Sequence, residues 1–174
     1  MAKLHVRRLG LARTLWTEGR WRPETTARFT WDSDFGRRTD NGIGFGDGFH
    51  ELEGALSFIS REDPLVFFGT LGYRARFEDG GTKPGDQVRV NLGSVVALSP
   101  TASLSVSSDN IVFEETEVGG SALRGSDGLA ASISLGASVV LTRRALLNIT
   151  GSVGVTDDAA DYALSLSVPV RFGP

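Results

Sequence analysis

The fold of this 174-residue chain is decided by its closing stretch, Asp161-Tyr-Ala-Leu-Ser-Leu-Ser-Val-Pro-Val-Arg-Phe172. One set of alternate positions is apolar, and the other set is small or polar. The apolar set is Tyr162, Leu164, Leu166, Val168, Val170 and Phe172, and the other is Ala163, Ser165, Ser167, Pro169 and Arg171. Successive side chains of a β-strand point to opposite faces. The stretch therefore predicts a strand with one apolar and one polar face.

The same alternation recurs along the chain. It predicts strands at 25–32, 49–60, 65–78, 87–98, 103–113, 129–141, 147–155 and 161–172. In the fifth of these the apolar parity changes after Val106, so that Ile111 and Phe113 become the apolar pair. The change predicts a β-bulge near Asp109 and Asn110. Eight strands at short spacing predict an all-β, antiparallel, up-and-down meander.

The N-terminal region is harder to assign. The segment 3–16 is either a ninth strand or a tail, and 17–24 is a loop because Gly19 and Pro23 disfavour regular structure. We therefore divide the chain into 1–24, a tail or partial strand plus loop, and 25–172, a β-barrel domain. The first eight residues are basic but precede no apolar signal-peptide core. If the chain is exported, we expect its signal segment to lie outside this sequence.

Composition excludes several classes. The net charge of −3 gives no reason to expect a nucleic-acid partner. The chain has no cysteine, hence no disulfide and no thiolate metal site. No apolar run approaches the roughly 18 residues that a membrane helix needs. A transmembrane barrel remains open, because barrel strands distribute their apolar residues in alternation.

The connections differ in length at the two ends of the predicted meander. One end has 61–64, 99–101 and 142–144, and the other has 36–48, 79–85, 117–127 and 156–160. Outer-membrane barrels have short periplasmic turns and longer external loops. This asymmetry predicts a transmembrane barrel in the bacterial outer membrane, with lipid against its apolar face. A soluble ligand-binding barrel is the alternative, although only two lysines are available for a solvated surface.

Aromatic residues are expected to form belts at the two membrane interfaces. Tyr162 and Phe172 are separated by about 33 Å along a strand, which spans roughly 25 Å when the strand is tilted. The predicted interface aromatics are Phe35, Phe58, Phe67, Tyr73, Phe77, Phe113, Tyr162 and Phe172.

The polar face carries the candidate functional residues. These are the charged side chains Arg28, Glu51, Glu53, Arg74, Arg76, Arg89 and Arg171. If Glu51 and Glu53 pair with Arg74 and Arg76 on the next strand, they plug a narrow eight-stranded barrel. In a wider barrel the same charges line a pore and set its selectivity.

Three segments resemble one protein family. They are Phe45-Gly-Asp-Gly-Phe-His-Glu-Leu-Glu-Gly-Ala-Leu-Ser-Phe58, Asp63-Pro-Leu-Val-Phe-Phe-Gly-Thr-Leu-Gly-Tyr73 and the ending Val155-Thr-Asp-Asp-Ala-Ala through Phe172. They are similar to Gram-negative outer-membrane β-barrels labelled transporter-like or phenol-degradation (meta-pathway) proteins. The resemblance implies uptake of small, aromatic or hydrophobic compounds. Family members carry a signal peptide and further N-terminal strands, and they usually end on Phe, whereas Gly173 and Pro174 follow here. A ninth strand at 3–16 would favour a larger barrel of about twelve strands.

Enzymatic signals are weak. His50 stands alone at a loop edge, and Ser108-Asp-Asn110 lacks the partner motifs of a β-lactamase. The Gly-rich 42–48 precedes no helix that could bind phosphate. We predict a non-enzyme without catalytic residues, metal or cofactor. The predicted function is a porin-like channel or uptake protein for small solutes. The alternative is a plugged barrel with a structural or adhesive role through its loops. The solute and the oligomeric state are left open.

Overall fold

The computed structural model describes residues 8–20, 22–33, 39–40, 43–44 and 49–171. Nine long strands form one sheet. They are β1 (Arg8–Trp16), β2 (Glu24–Asp32), β3 (Glu51–Glu62), β4 (Leu65–Arg76), β5 (Gln87–Ser99), β6 (Ala102–Phe113), β7 (Gly128–Thr142), β8 (Ala145–Gly154) and β9 (Tyr162–Ser167). The part of the chain that the structure describes holds no helix with the length and hydropathy needed to cross a membrane.

The sheet is an antiparallel meander in which each strand pairs with its neighbours in sequence. The strands β3 and β4 pair in continuous register from Glu51 opposite Arg76 to Glu62 opposite Leu65. The expected all-β antiparallel fold is thus confirmed. The strands β1 and β9 are the two edges, and the sheet does not close on itself. A closed barrel therefore stays a prediction.

The two ends of the sheet differ as expected. Two-residue turns join β3 to β4, β5 to β6 and β7 to β8 at one end, which we call the turn end. The connection 17–23 lies at the same end. At the other, loop end, the connections are 33–50, 77–86, 114–127 and 155–161.

Short strands occur in three of the loop-end connections. Thr82–Lys83, Glu117–Val118 and Ser121–Ala122 form a three-stranded sheet. A further hairpin pairs Thr39–Asp40 with Ile43–Gly44. The loops 77–86 and 114–127 are therefore held to each other.

Three sequence expectations need comment. The segment left open as strand or tail contains β1, paired with β2 along its length. The bulge expected near Asp109 is wrong, because β6 pairs without a shift from Phe113 through Ser103 with both neighbours. The register shifts lie near strand ends instead, between Thr14 and Trp16, between Ala97 and Ser99 and between Val140 and Thr142.

The closing strand is shorter than expected. It ends at Ser167, and pairing resumes in the same register where Val170 bridges Ala145. Between them Pro169 accepts a hydrogen bond from the Leu146 amide at 3.2 Å but has no amide to return. The interruption is tolerated because β9 is an edge strand.

The apolar side chains do not form a buried core. Among the described residues, Ala131 is the only buried hydrophobic residue, at 4% exposure. The exposed large side chains instead alternate along the strands and share one face of the sheet, for example Leu71, Leu135 and Leu164. Arg13 of β1 is a charged exception on that face. The other face carries the polar residues, and we call the two the apolar face and the polar face.

Candidate functional site

The polar face brings together the charged side chains predicted from the sequence. Directly paired residues of neighbouring strands lie on the same face, which places Arg28, Glu51 and Glu53 on the same side as Arg74, Arg76 and Arg89. All six lie in β2 to β5. Arg171 has the parity of this face but lies at the turn end, where its amide donates to the Arg144 carbonyl at 2.9 Å.

Two ion pairs connect β3 and β4. Arg74 donates to Glu53 at 2.7 Å, and Arg76 donates to Glu51 at 2.9 Å. Arg74 also lies 3.8 Å from Glu51. The pairs predicted from sequence therefore form, and each joins residues that are directly opposite on adjacent strands.

Two further pairs include residues that the sequence reasoning did not select. Arg89 binds Asp109 of β6 through two hydrogen bonds, one of 2.9 Å from Nε. At the β1 edge, Arg8 binds Asp32 at 2.8 Å. The sequence did not identify Asp109 as a polar-face residue, because the bulge predicted at this position interrupts the alternating pattern. An uninterrupted β6 would have placed it opposite Asn91, on the polar face.

Arg28 is the exception among these cations. It forms no ion pair within the part of the chain that the structure describes. Its direct partners are Ala12 on β1 and Ala55 on β3. Arg28 also lines a cavity of about 170 Å³ with Arg8, Thr30, Asp32, Glu51 and Glu53.

A separate cluster lies at the turn end. Glu18, in the connection 17–23, accepts hydrogen bonds from the backbone and the side chain of Arg61. Arg61 also binds Glu24 at 3.2 Å. The amide and guanidinium of Arg61 lower the pKa of Glu18. The cluster ties the first connection to the end of β3.

The polar face changes character beyond β5. Asp109 is the only charged residue in β6 to β9. The other polar-face positions there are mostly small or hydroxylated: Ser103, Ser105, Ser107, Ala130, Ser132, Ser134, Gly136, Ser138, Asn148, Thr150, Ser152, Ala163, Ser165 and Ser167. We call the polar face of β1 to β5 the charged half, and that of β6 to β9 the hydroxyl half.

A cavity of about 370 Å³ lies in the charged half, at its border with β6. Its lining includes Arg74, Arg89 and Glu53, together with Asn91 and Ile111. Ile111 was expected on the apolar face. It lies on the polar face because β6 has no bulge, directly opposite Arg89.

Most described aromatics predicted for the interfaces lie on the apolar face. Phe58, Phe67, Tyr73, Phe77 and Tyr162 are all at least 36% exposed there. Phe113 has the parity of the polar face and lies over Gly128, so the sequence placed it on the wrong side. Phe35 and Phe172 lie outside the described residues. The apolar face also exposes Phe29 and Trp31, which the alternation in β2 could have added, and Trp16, which a register shift after Thr14 brings opposite Thr25.

No group of three or more metal-ligating side chains occurs within the described ranges.

Comparison with known proteins defines the fold more closely. No protein-family model matches the chain. The structure is similar to the crystal structure of an outer membrane channel from Pseudomonas putida F1, with a TM-score of 0.75 and 9% sequence identity. The match covers 92% of this chain and 63% of that chain.

The chain has an outer-membrane-channel-like β fold. At 9% identity the likeness concerns the fold alone. Membership of the transporter-like family therefore stays a prediction. The neighbour is a channel and not an enzyme, which agrees with the expected absence of catalysis without testing it.

Proposed function

We propose that this chain forms the wall of a bacterial outer-membrane channel for small solutes, with its apolar face against lipid and its polar face toward a water-filled lumen. The observation that carries the proposal is the separation of the two faces along nine continuous antiparallel strands. Membrane barrels alternate lipid-facing and lumen-facing residues in this way. The likeness to an outer membrane channel supports the same conclusion.

The apolar face has the exposure expected of a lipid contact. Leu135 is 65% exposed and Leu164 is 80% exposed, although both lie within strands. A soluble barrel would turn such residues inward, because burying apolar surface stabilises a fold by about 25 cal/mol per Å². The polar residues on the opposite face would then meet water. The exposure of the leucines therefore supports lipid over the soluble alternative.

The aromatic residues support a membrane of ordinary thickness. Phe67 lies near the turn end of β4, and Phe77 lies just beyond its loop end. These ten residues extend about 33 Å, or roughly 25 Å along the membrane normal at a tilt near 40°. Trp16 is at the turn end and Trp31 near the loop end, each more than one third exposed. The proposal therefore places the turn end in the periplasm and the loop end outside.

The ion pairs, which would plug a narrow eight-stranded barrel, are compatible with an open channel in a wider one. Glu53 with Arg74 and Glu51 with Arg76 are pairs between adjacent strands. They satisfy their charges along the wall, with no partner needed across a lumen. Paired charges lining a wall can set ion selectivity while leaving the pore open. Nine strands in an open sheet also fit a barrel wider than eight strands.

The first test asks which face contacts lipid. The chain contains no cysteine, so single cysteines can be introduced at adjacent positions of β7. In proteoliposomes, Leu135→Cys is expected to resist a membrane-impermeant thiol reagent, whereas Ser134→Cys reacts. A labelling rate at Leu135→Cys at least ten times slower supports the proposed orientation. Equal rates in the folded protein would refute it.

The second test measures transport. Folded protein in planar bilayers is expected to produce discrete current steps. The absence of steps from preparations whose folding is shown by heat-modifiable mobility would favour the plugged barrel. The cysteine labelling and the conductance together separate a membrane channel from a membrane plug and from a soluble barrel.

A further inference from the structure

The polar face holds a notch over β3 and β4, beside Arg89 of β5. At one level of the sheet, directly paired residues run from Arg28 through Ala55 and Gly72 to Arg89 and Ile111. Because the side chains of Ala55 and Gly72 are no larger than a methyl group, the polar face is recessed between Arg28 and Arg89. Ala55, Gly72, Arg89 and Ile111 of this row line the 370 Å³ cavity, whereas Arg28 lines the cavity of about 170 Å³.

The arginines at the notch have hydrogen-bonding capacity to spare. A guanidinium has five N–H donors. Arg89 uses Nε and Nη2 toward Asp109, and Arg74 uses Nε and Nη2 toward Glu53. The Nη1 groups are not used in these bonds. The side chain of Arg89 is also 54% exposed, so a solute in the notch can reach it.

The same cavity presents an apolar contact. Ile111 faces Arg89 directly, and the methyl group of Ala55 lies 3.8 Å from the position that a Cβ on Gly72 would occupy. A solute that fits must therefore combine an acceptor for a guanidinium with a short apolar body. Carboxylates match the guanidinium fork in geometry and charge. A cationic solute would instead meet two guanidiniums, and the nearby carboxylates Glu53 and Asp109 are already paired with them.

We infer that the notch beside Arg89 is a binding site for small organic monocarboxylates, with the carboxylate on Arg89 and the alkyl part over Gly72 and Ala55. This inference rests on the proposed function, because it names a solute class for the lumen. The paired residues Glu53 and Asp109 orient the two guanidiniums.

The test measures binding apart from conduction. Equilibrium dialysis of the detergent-folded full chain with labelled butanoate is expected to show saturable binding, for which butanamide competes poorly. Butanoate should bind more tightly than acetate by about fourfold for each methylene group that is buried. Equal competition by butanamide would overturn the assignment of the carboxylate.

Variants locate the site. Ala55→Leu fills the notch without changing a charge and is expected to weaken butanoate binding about tenfold or more. Ala163→Leu, on the polar face of β9, is the matched control and should bind like the wild type. Wild-type affinity in folded Ala55→Leu would exclude the notch.

Arg89 is tested with its partner. Arg89→Gln is expected to lose about tenfold or more in affinity, as removal of a charged hydrogen bond does. It also leaves Asp109 unpaired, so the double variant Arg89→Gln/Asp109→Asn is needed. Continued loss in the double variant supports direct contact with Arg89. Recovery of binding would show that Arg89 only neutralises Asp109, and would overturn the proposed contact.

Conduction distinguishes this inference from the channel proposal. A chain that conducts but does not bind butanoate overturns the monocarboxylate site and leaves the channel. A chain that binds butanoate at the notch but never conducts overturns the channel and leaves the site.

Discussion

The charged half and the hydroxyl half of the polar face have the same backbone arrangement but different side chains. Both are regular antiparallel ladders with two-residue turns at one end. The charged half carries long side chains held in ion pairs, such as Arg74 with Glu53. The hydroxyl half carries serines at position after position, with bonds as local as that from Ser138 to Asn148 at 2.7 Å.

This difference shows that the strand pattern and the chemistry of the lumen are set independently. Alternation requires only that one face be apolar, and it leaves the other face free to vary. In the charged half, the Phe68 ring occupies the space beside Gly93, where a Cβ would be. In the hydroxyl half, small side chains leave room along the wall. We therefore expect packing and charge to matter most in β1 to β5.

The largest expected effect compares one glycine from each half. A Cβ at Gly93 would meet the Phe68 ring and would lie 2.8 Å from both Ser107 Cβ and the Val106 carbonyl oxygen. The backbone at Val106 cannot move away without disturbing the hydrogen bonds between the strands. We expect Gly93→Ala to destabilise the fold by about 1–3 kcal/mol, the usual range for overpacking. Urea unfolding in lipid vesicles, followed by heat-modifiable mobility, measures the change.

Gly136→Ala is the counterpart in the hydroxyl half. Its Cβ would meet the Ser105 hydroxyl, which can rotate away, and would lie 3.3 Å from the Thr150 hydroxyl. The substitution also reduces the entropy of the unfolded chain, an effect of about 0.4–1 kcal/mol in its favour. We expect little net change. An equal loss of stability at both glycines would contradict the contrast in packing.

The sequence predicted the strands well because alternation is a local signal. It predicted the partners of Glu51 and Glu53 for the same reason, since a tight turn fixes which residues of β3 and β4 are opposite. It failed at β6, where Ser108 and Asn110 lie on the apolar face while Ile111 and Phe113 lie on the polar face. Hydrogen bonding to both neighbouring strands keeps that register, and this pairing is not visible within β6 itself.

Other features depended on contacts between residues that are far apart in the sequence. The pairs of Arg89 with Asp109 and of Arg8 with Asp32 depend on strands whose register the sequence left uncertain. The strand β1 was ambiguous because Arg13 interrupts its apolar face. The notch beside Arg89 requires four neighbouring strands to be in register, so it could not be predicted from any one of them.

The next effect concerns charge. In a water-like dielectric, a unit charge changes the energy of an ion about 7 Å away by about 0.6 kcal/mol, or roughly threefold in occupancy. Glu53→Gln is therefore expected to shift permeability toward anions by about that factor. Arg74→Gln should shift it toward cations. The reversal potential in a KCl gradient reports both changes.

Ser134→Ala in the hydroxyl half is the control, because it changes no charge on the same face. It should leave the reversal potential unchanged. Shifts of the same sign for Glu53→Gln and Arg74→Gln would mean that these variants act through altered structure and not through the field of the lumen.

The smallest expected effect compares two tyrosines, one beside each half. Tyr73 donates to Asp86 at 2.6 Å, and the Arg76 amide donates to the same carboxylate at 3.0 Å. Burial of Asp86 raises its pKa, but these hydrogen bonds outweigh burial, and the pKa lies below its ordinary value. Tyr162 of β9 is 83% exposed, and its hydroxyl has no hydrogen-bond partner among the described residues.

A lowered pKa makes the contribution of Asp86 to stability depend on pH. The unfolded chain takes up its proton first, near pH 3.9. The stabilisation is therefore fully present above that pH and is lost as the pH falls through the lower folded value. Tyr73→Phe removes one donor and raises the folded pKa of Asp86. We expect a smaller loss of stability between pH 7 and pH 3 than in the wild type, and no such change in Tyr162→Phe. The same acid loss in all three proteins would show that the Tyr73 bond does not stabilise the ionised carboxylate of Asp86.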